Sequence, residues 1–227
     1  MKSNFIILST KNWNLDLVDR LKSYFPSSNW HHISKKADFN LKTLKRINPE
    51  KIFIPHWSYI IPIEIFSNFN CILFHMTDLP YGRGGSPLQN LIINGHENTK
   101  ISAIKVVEEI DAGPIYLKSN LSLYGTAEEV FIRSNNLIFN MIINIIEQNP
   151  KLKKQEGKVS VFKRRTPKMS SIDDLKELDE VFNHIRMLDA DGYPNAYLET
   201  QNFKFEFTRA TLRTNKSIIA DVRITKK

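Results

Sequence analysis

The chain has 227 residues, 41% of them apolar, one cysteine and a formal net charge of +8. That suits one large domain, or one domain with a small appendage, around a real core, and it excludes an extended disordered protein. The lone Cys71 excludes an intrachain disulfide and points to a reducing cytoplasm, the apolar runs are too short for a bilayer span, and no His/Cys cluster has metal-ligand spacing.

Phe5-Ile6-Ile7-Leu8 is too short for a signal-peptide core and is predicted as a first buried strand. Leu15 to Phe25 carries a helical stripe at 15, 17, 18, 21, 24 and 25. Trp30 to Ile33 reads as a second strand and Leu41 to Ile47 as a short helix stopped by Asn48-Pro49. Lys51 to Ile54 is a third strand that runs into His56-Trp57-Ser58, and Pro62 to Phe66 is a short helix. Cys71 to Phe74 is a fourth strand that delivers His75. Ser86 as N-cap, Pro87 in the first turn and Gly95 at the end mark another helix. Lys100 to Val107 is a strand with Ile101, Ala103 and Val107 facing inward, and strand or hairpin follows over 115–118 and 121–123. Thr126 and Glu129 form the capping box of a long helix that ends near Gln148, before Asn149-Pro150. A helix over Asp173 to Leu188, an alternating strand with Phe203, Phe205 and Phe207 on one face, and strands at Leu212 and 217–224 complete the chain. Trp13 and Trp30 are expected in the core, and His31-His32 at the surface. The domain reading is a catalytic core over 1–150, a basic linker over 151–170 and a small C-terminal α+β subdomain over 171–227. In an open α/β sheet, ligands bind outside the carboxyl ends of the strands, so the loops at 55–60, 75–86 and 109–114 are expected to share one edge.

Two features carry chemistry. His75 ends an apolar run and opens a glycine-laden loop that continues to Pro87; Asp111 stands in Ile110-Asp111-Ala112-Gly113-Pro114. Alone, the first fits a structural histidine and the second a turn residue. Together they can form a proton-transfer pair, because imidazole titrates near working pH. The glycine-rich loop precedes no Gly-Lys-Ser/Thr, so it is not a phosphate loop of that kind. Between Lys151 and Lys168, eight basic residues face one acid, Glu156. The lysines fit a solvated linker, while Arg164-Arg165 fits bidentate phosphate contact. The overall charge suggests an anionic partner: a nucleotide, a sugar diphosphate, a folate tail or nucleic acid.

The pattern His-x-x-x-Leu-Pro-x-x-x-Gly (His75 to Gly84), followed by Asp-x-Gly-x-Ile (Asp111 to Ile115), resembles the formyltransferases that use N10-formyltetrahydrofolate. Ile60-Ile61-Pro62 resembles that family's Ile-Leu-Pro segment. The resemblance implies an α/β fold: a Rossmann-like formyltransferase core with a mostly parallel sheet, plus the small C-terminal α+β appendage. The segments Arg164 to Pro167, Ile185 to Asp189 and Gly192 to Ala196 resemble the post-core segment of the sugar N-formyltransferases, and the run from Phe74 to Ile92 resembles their pseudaminic-acid branch. That implies formyl transfer to the amine of a nucleotide-linked 4-amino-4,6-dideoxy sugar, a surface-glycan precursor. By the same resemblance His75 is the acid–base group and Asp111 its partner. Trp57, Ser58, Ile60, Arg83, Gly84, Glu109 and Ile110 are expected at the folate, and Thr77, Tyr81, Gln89, Asn90, Arg164 and Arg165 at the acceptor. No metal, membrane or nucleic-acid partner is expected, and a homodimer is left open. The family usually places Asn two residues before the histidine, where this chain has Leu73. Loss of one oxyanion donor costs on the order of 10²–10³ in rate, and Thr77, Gln89 and Asn90 are the nearby donors expected to replace it. The alternatives are a tRNA-acting member, favoured by charge but opposed by the short segment after residue 170; a catalytically weak folate or nucleotide-sugar binder; and a glycinamide ribonucleotide formyltransferase.

Overall fold

Four short apolar runs of the first half become strands. In the computed structural model, which describes residues 2–227, these are β1 (Asn4–Ser9), β2 (Asn29–Ile33), β3 (Lys51–His56) and β4 (Cys71–His75). Phe5 to Leu8 and Ile52 to Ile54 are almost fully buried, as expected of parallel strands covered on both faces. Helices α1 (Leu15–Tyr24), α2 (Leu41–Ile47) and the single turn α3 (Ile63–Phe66) alternate with them. Asn40 caps α2 by accepting from the Thr43 amide at 3.0 Å, and Asn48, at φ 51°, ends it in the left-handed conformation.

The chain packs as two compact units. The first comprises the chain up to Gly84 with Lys100–Leu121 and Ile132–Val161. The second comprises Gly85–Thr99, Ser122–Phe131 and Phe162–Lys227. Both are discontinuous, so the packing does not follow the linear 1–150, 151–170, 171–227 partition. The long helix α5 (Ala127–Gln148) contributes residues up to Phe131 to the second unit and those from Ile132 to the first. Its predicted capping box is present: the Thr126 hydroxyl accepts from the Glu129 amide and the Thr126 amide donates to the Glu129 carboxylate.

The first unit is built on a sheet of order β2-β1-β3-β4-β6-β7, where β6 is Asn98–Lys105 and β7 is Ile115–Ser122. The two-residue β5 (Arg83–Gly84) lies outside that sheet. One face holds Ile6, Leu8, Ile33, Phe39, Leu44, Ile52, Ile54, Ile65 and Cys71. Phe5, Trp30, Phe53 and Phe74 form a ring ladder with centroids 4.9–6.4 Å apart. Trp30 is therefore core, as expected. Trp13 is only half-buried, with its ring edge-on to His56 and the Lys11 ammonium above it.

One strand departs from expectation in a way that matters. β2, β1, β3 and β4 are parallel, but β6 is antiparallel to β4, pairing His75 with Ser102 and Ile72 with Lys105. The carboxyl end of β6 thus lies beside the start of β4, away from His75. The 109–114 loop does not share the carboxyl edge by strand direction; it has to fold back. Val107 lies beyond β6 and is half-buried, whereas Ile101 to Ile104 are all buried.

The second unit holds α4 (Pro87–Ile93), α6 (Leu178–Leu188) and an antiparallel sheet of order β11-β10-β9, with β9 Ala196–Glu199, β10 Phe203–Leu212 and β11 Ile218–Lys226. The short β8 (Val161–Phe162) precedes it in the chain. Ser86 occupies the N-cap position of α4 as expected, but at φ 51° it makes no side-chain cap bond, and its hydroxyl accepts from the Arg165 amide instead. The last helix starts at Leu178 rather than Asp173, because Glu177 and Glu180 form a capping box that fixes its first turn. Phe205 and Phe207 share a face with Leu198, Ala196, Ile224 and Val222, but Phe203, Val222 and Ile224 stay exposed.

Candidate active site

His75 is the last residue of β4 and is buried. Its Nε2 lies 2.8 Å from the Gly82 carbonyl oxygen. A carbonyl only accepts, so Nε2 carries the hydrogen. The Thr77 hydroxyl donates to the same oxygen at 3.3 Å, and Ser102 ties the Thr77 carbonyl down at 2.7 Å. The other ring nitrogen, Nδ1, is 3.6 Å from Asp111 Oδ2. That is close enough for strong Coulomb coupling and too long for a hydrogen bond. A proton on Nδ1 would turn the repulsion between a lone pair and a carboxylate into attraction, so the pair is arranged to accept one.

Asp111 reaches this place on a loop held at several points. Its backbone is left-handed at φ 54°, uncommon for a residue with a side chain. Its Oδ2 accepts from the Gly84 amide at 2.8 Å. Gln155 donates to the carbonyls of Asp111 (2.7 Å) and Gly113 (2.9 Å). A Cβ on Gly113 would lie 1.7 Å from the Lys105 carbonyl oxygen, so only glycine fits. The loop after His75 is tied down as well: Gly82 N donates to the Ser160 hydroxyl at 2.8 Å, and Asp78 pairs with Lys100 (2.9 Å) and Lys118.

The expected folate residues divide. Trp57 is half-buried on Phe39 and Tyr59 and joins the core cluster, while Ser58, Ile60 and Ile110 are exposed. Arg83 is engaged within the protein. It donates to Glu109 at 2.7 Å and to the Gln155 oxygen at 3.1 and 2.9 Å. Gly84 serves through its amide on Asp111. Next to this edge, desolvation and then Lys11 push the His56 imidazole down to about 4.

Of the expected acceptor residues, Thr77 and Tyr81 lie in the first unit, and Gln89, Asn90, Arg164 and Arg165 in the second. The Gln89 amide donates to the Met187 carbonyl at 3.2 Å, and Asn90 donates to Gly85 and Lys163 carbonyls at 3.0 Å. With the Thr77 hydroxyl on the Gly82 carbonyl, each of the three expected substitutes for the family asparagine bonds to a main-chain carbonyl. Arg164 is exposed, whereas Arg165 is half-buried with its guanidinium on the Met169 carbonyl. Leu73 itself packs on Leu79, Ile104 and Ile115. Among the described residues no three His, Cys, Asp or Glu side chains are grouped to hold a metal.

Residues 18–135, just over half of the chain, match the family model described as "Formyl transferase". The chain belongs to the formyltransferase family. Formyltransferases of this family take the formyl group from N10-formyltetrahydrofolate, and the mixed Rossmann-like sheet with its C-terminal appendage is their fold. Residues 167–225 match a second model, "Methionyl-tRNA formyltransferase, C-terminal domain". A solved methionyl-tRNA formyltransferase from Clostridium thermocellum is 49% identical with a TM-score of 0.96, over 99% of this chain and 100% of that one. The methionyl-tRNA formyltransferase of Malacoplasma penetrans is 30% identical over 77% of this chain, which spans 57% of that relative's length. A sugar N-formyltransferase from Shewanella sp FDAARGOS_354 is 19% identical with a TM-score of 0.68, a likeness of fold alone.

These findings overturn the nucleotide-sugar acceptor and the expectation that nucleic acid is not a partner. Length does not oppose a tRNA-acting member: residues 167–225 match that C-terminal model, and the Clostridium thermocellum formyltransferase is covered end to end. Within that post-core segment, Arg186 donates to the Leu123 and Gly125 carbonyls, and Tyr193 stacks on Phe131 at 5.5 Å. Sequence reasoning missed Gln155 and Ser160, the residues of the basic stretch that hold both formyltransferase signature loops. The only signal for them was a polar, acceptor-capable residue among lysines.

Proposed function

We propose that this formyltransferase formylates the α-amine of methionyl-tRNA, with N10-formyltetrahydrofolate as donor, in the cytoplasm. The observation that carries the reading is the end-to-end likeness, at 49% identity, to the Clostridium thermocellum methionyl-tRNA formyltransferase. The folate supplies an activated formyl carbon. The amine attacks as the neutral base, the carbon–N10 bond breaks, and the amine proton must end on the leaving nitrogen. His75 Nδ1 is the atom that takes and returns it, and the Asp111 carboxylate stabilises the imidazolium in between. Exposed basic groups fit a polyanionic acceptor: Lys151, Lys153, Lys154, Lys158, Lys163, Arg164 and Lys168 before the appendage, and Arg213, Lys216, Arg223 and Lys226 within it.

The test is formyl transfer from N10-formyltetrahydrofolate to methionyl-tRNA by the purified chain, with uncharged tRNA as control. His75→Ala and Asp111→Asn are expected to lower turnover by roughly 10²–10⁴ with the fold intact. Absence of formyl-methionyl product in the wild type, or near-normal turnover in either variant, would refute the proposal.

A further inference from the structure

Gln155 lies in a stretch that reads in sequence as a solvated linker, yet its amide is fully used. Nε2 donates to the Asp111 and Gly113 carbonyls at 2.7 and 2.9 Å, and Oε1 accepts from Arg83 Nε and Nη2 at 3.1 and 2.9 Å. Arg83 directly follows Gly82, whose carbonyl orients the His75 ring, and its third bond goes to Glu109 in the Asp111 loop. One side chain thus joins the loop that sets the histidine to the loop that sets the carboxylate. Only a primary amide does this. It offers two donors to two carbonyls and one oxygen to a guanidinium edge. Glutamate would face both carbonyls with acceptors.

We infer that Gln155 is a positioning residue for Asp111. It holds the left-handed residue so that Oδ2 stays on the Gly84 amide and beside His75 Nδ1. Gln155 does not touch the imidazole, so it acts on the reaction through the placement of Asp111. The chemistry of this role rests on the formyl-transfer reading above, but the geometry does not.

The experiment compares the full-length chain with Gln155→Ala and Gln155→Glu. The latter preserves size and the acceptor for Arg83. Residue-resolved amide exchange reports position without substrate: Gly84 N–H, which is bonded to Asp111, is expected to exchange about tenfold faster in both variants while β1 and β3 keep their protection. In the formyl-transfer assay kcat is expected to fall roughly 10–100-fold with KM for either substrate changed less than about threefold. In an Asp111→Asn background Gln155→Ala should add less than about twofold, since both changes remove one function. Unchanged Gly84 exchange, or a cost that multiplies with Asp111→Asn, would overturn the inference. A wild type without formyl transfer would sink the functional reading instead, and the exchange result would still decide this one.

Discussion

Gly113→Ala tests whether the placement of Asp111 is what the loop is for. The new Cβ would lie 1.7 Å from the Lys105 carbonyl oxygen, where real Cβ atoms keep at least 3.0 Å, so something must move by 1.3 Å or more (3.0 − 1.7). Lys105 cannot yield easily: it ends β6, pairs with Ile72 of β4, and its amide donates to the Pro114 carbonyl at 2.9 Å. The loop moves instead, and Asp111 is two residues away, already 3.6 Å from His75 Nδ1. A misplacement of about 1 Å in a catalytic group costs on the order of 10² in rate, or about 2.7 kcal/mol of barrier. Overpacking of this kind costs about 1–3 kcal/mol of stability, which leaves an ordinary domain folded. The measurement is kcat for formyl-methionyl-tRNA formation beside a circular-dichroism melt. A folded variant whose kcat stays within about threefold of wild type would show that the loop does not set the rate.

His56 gives a pH signature. Its folded pKa lies at about 4, below the ordinary 6.5, so between those values the unfolded chain binds a proton that the folded chain refuses. Stability from this group is therefore full above pH 6.5 and lost as pH falls toward 4, by at most about 3 kcal/mol; His56→Gln should flatten Tm against pH in that window, and parallel curves would contradict the assignment. Arg164→Ala removes an exposed guanidinium and should weaken tRNA binding while lowering the log–log salt slope by about 1. A slope equal to that of the wild type would place Arg164 off the RNA. Leu73→Asn should lower stability by about 1–3 kcal/mol, since an amide enters the Leu79, Ile104 and Ile115 cluster. If a missing oxyanion donor limits the enzyme, kcat should nevertheless rise at least about tenfold; unchanged turnover in a folded variant would show that the leucine costs nothing in rate.

What the sequence revealed follows from how local each signal is. Buried parallel strands are continuous apolar runs, so β1, β3 and β4 were legible to within a residue or two, and His75 with them. Caps are local too: Thr126 with Glu129 marks α5 correctly. Strand direction is not local. Nothing in residues 98–105 tells that β6 runs antiparallel, and so the path by which Asp111 meets His75 was hidden even though the pair itself was expected. Gln155 was invisible for the same reason. It works through side-chain bonds spanning 42 to 72 residues, inside a segment whose composition is that of a linker. The segments that suggested a sugar, around Arg186 and Tyr193, make their bonds and ring contacts inside the second unit, which resemblance of sequence alone does not tell from acceptor contacts.

The polar groups around His75 are largely spent on one another, and this shapes the chemistry left to the site. The Gly82 carbonyl takes Nε2–H and the Thr77 hydroxyl, the Gly84 amide takes Asp111 Oδ2, and Gln155 takes the loop carbonyls. Leucine fills the position of the family asparagine, and Thr77, Gln89 and Asn90 each bond to a main-chain carbonyl. The imidazole Nδ1 is the ring atom that still lacks a short partner, and it faces a carboxylate. A group so placed gains most when it carries a proton, because the new charge is met at once by one that is already oriented. The cost of orientation has been met during folding, by bonds from Gln155, Gly84 and the tight approach of Gly113 to Lys105. In the proposed reaction the proton transfer falls on this one pair, which the ties on its two loops hold in place.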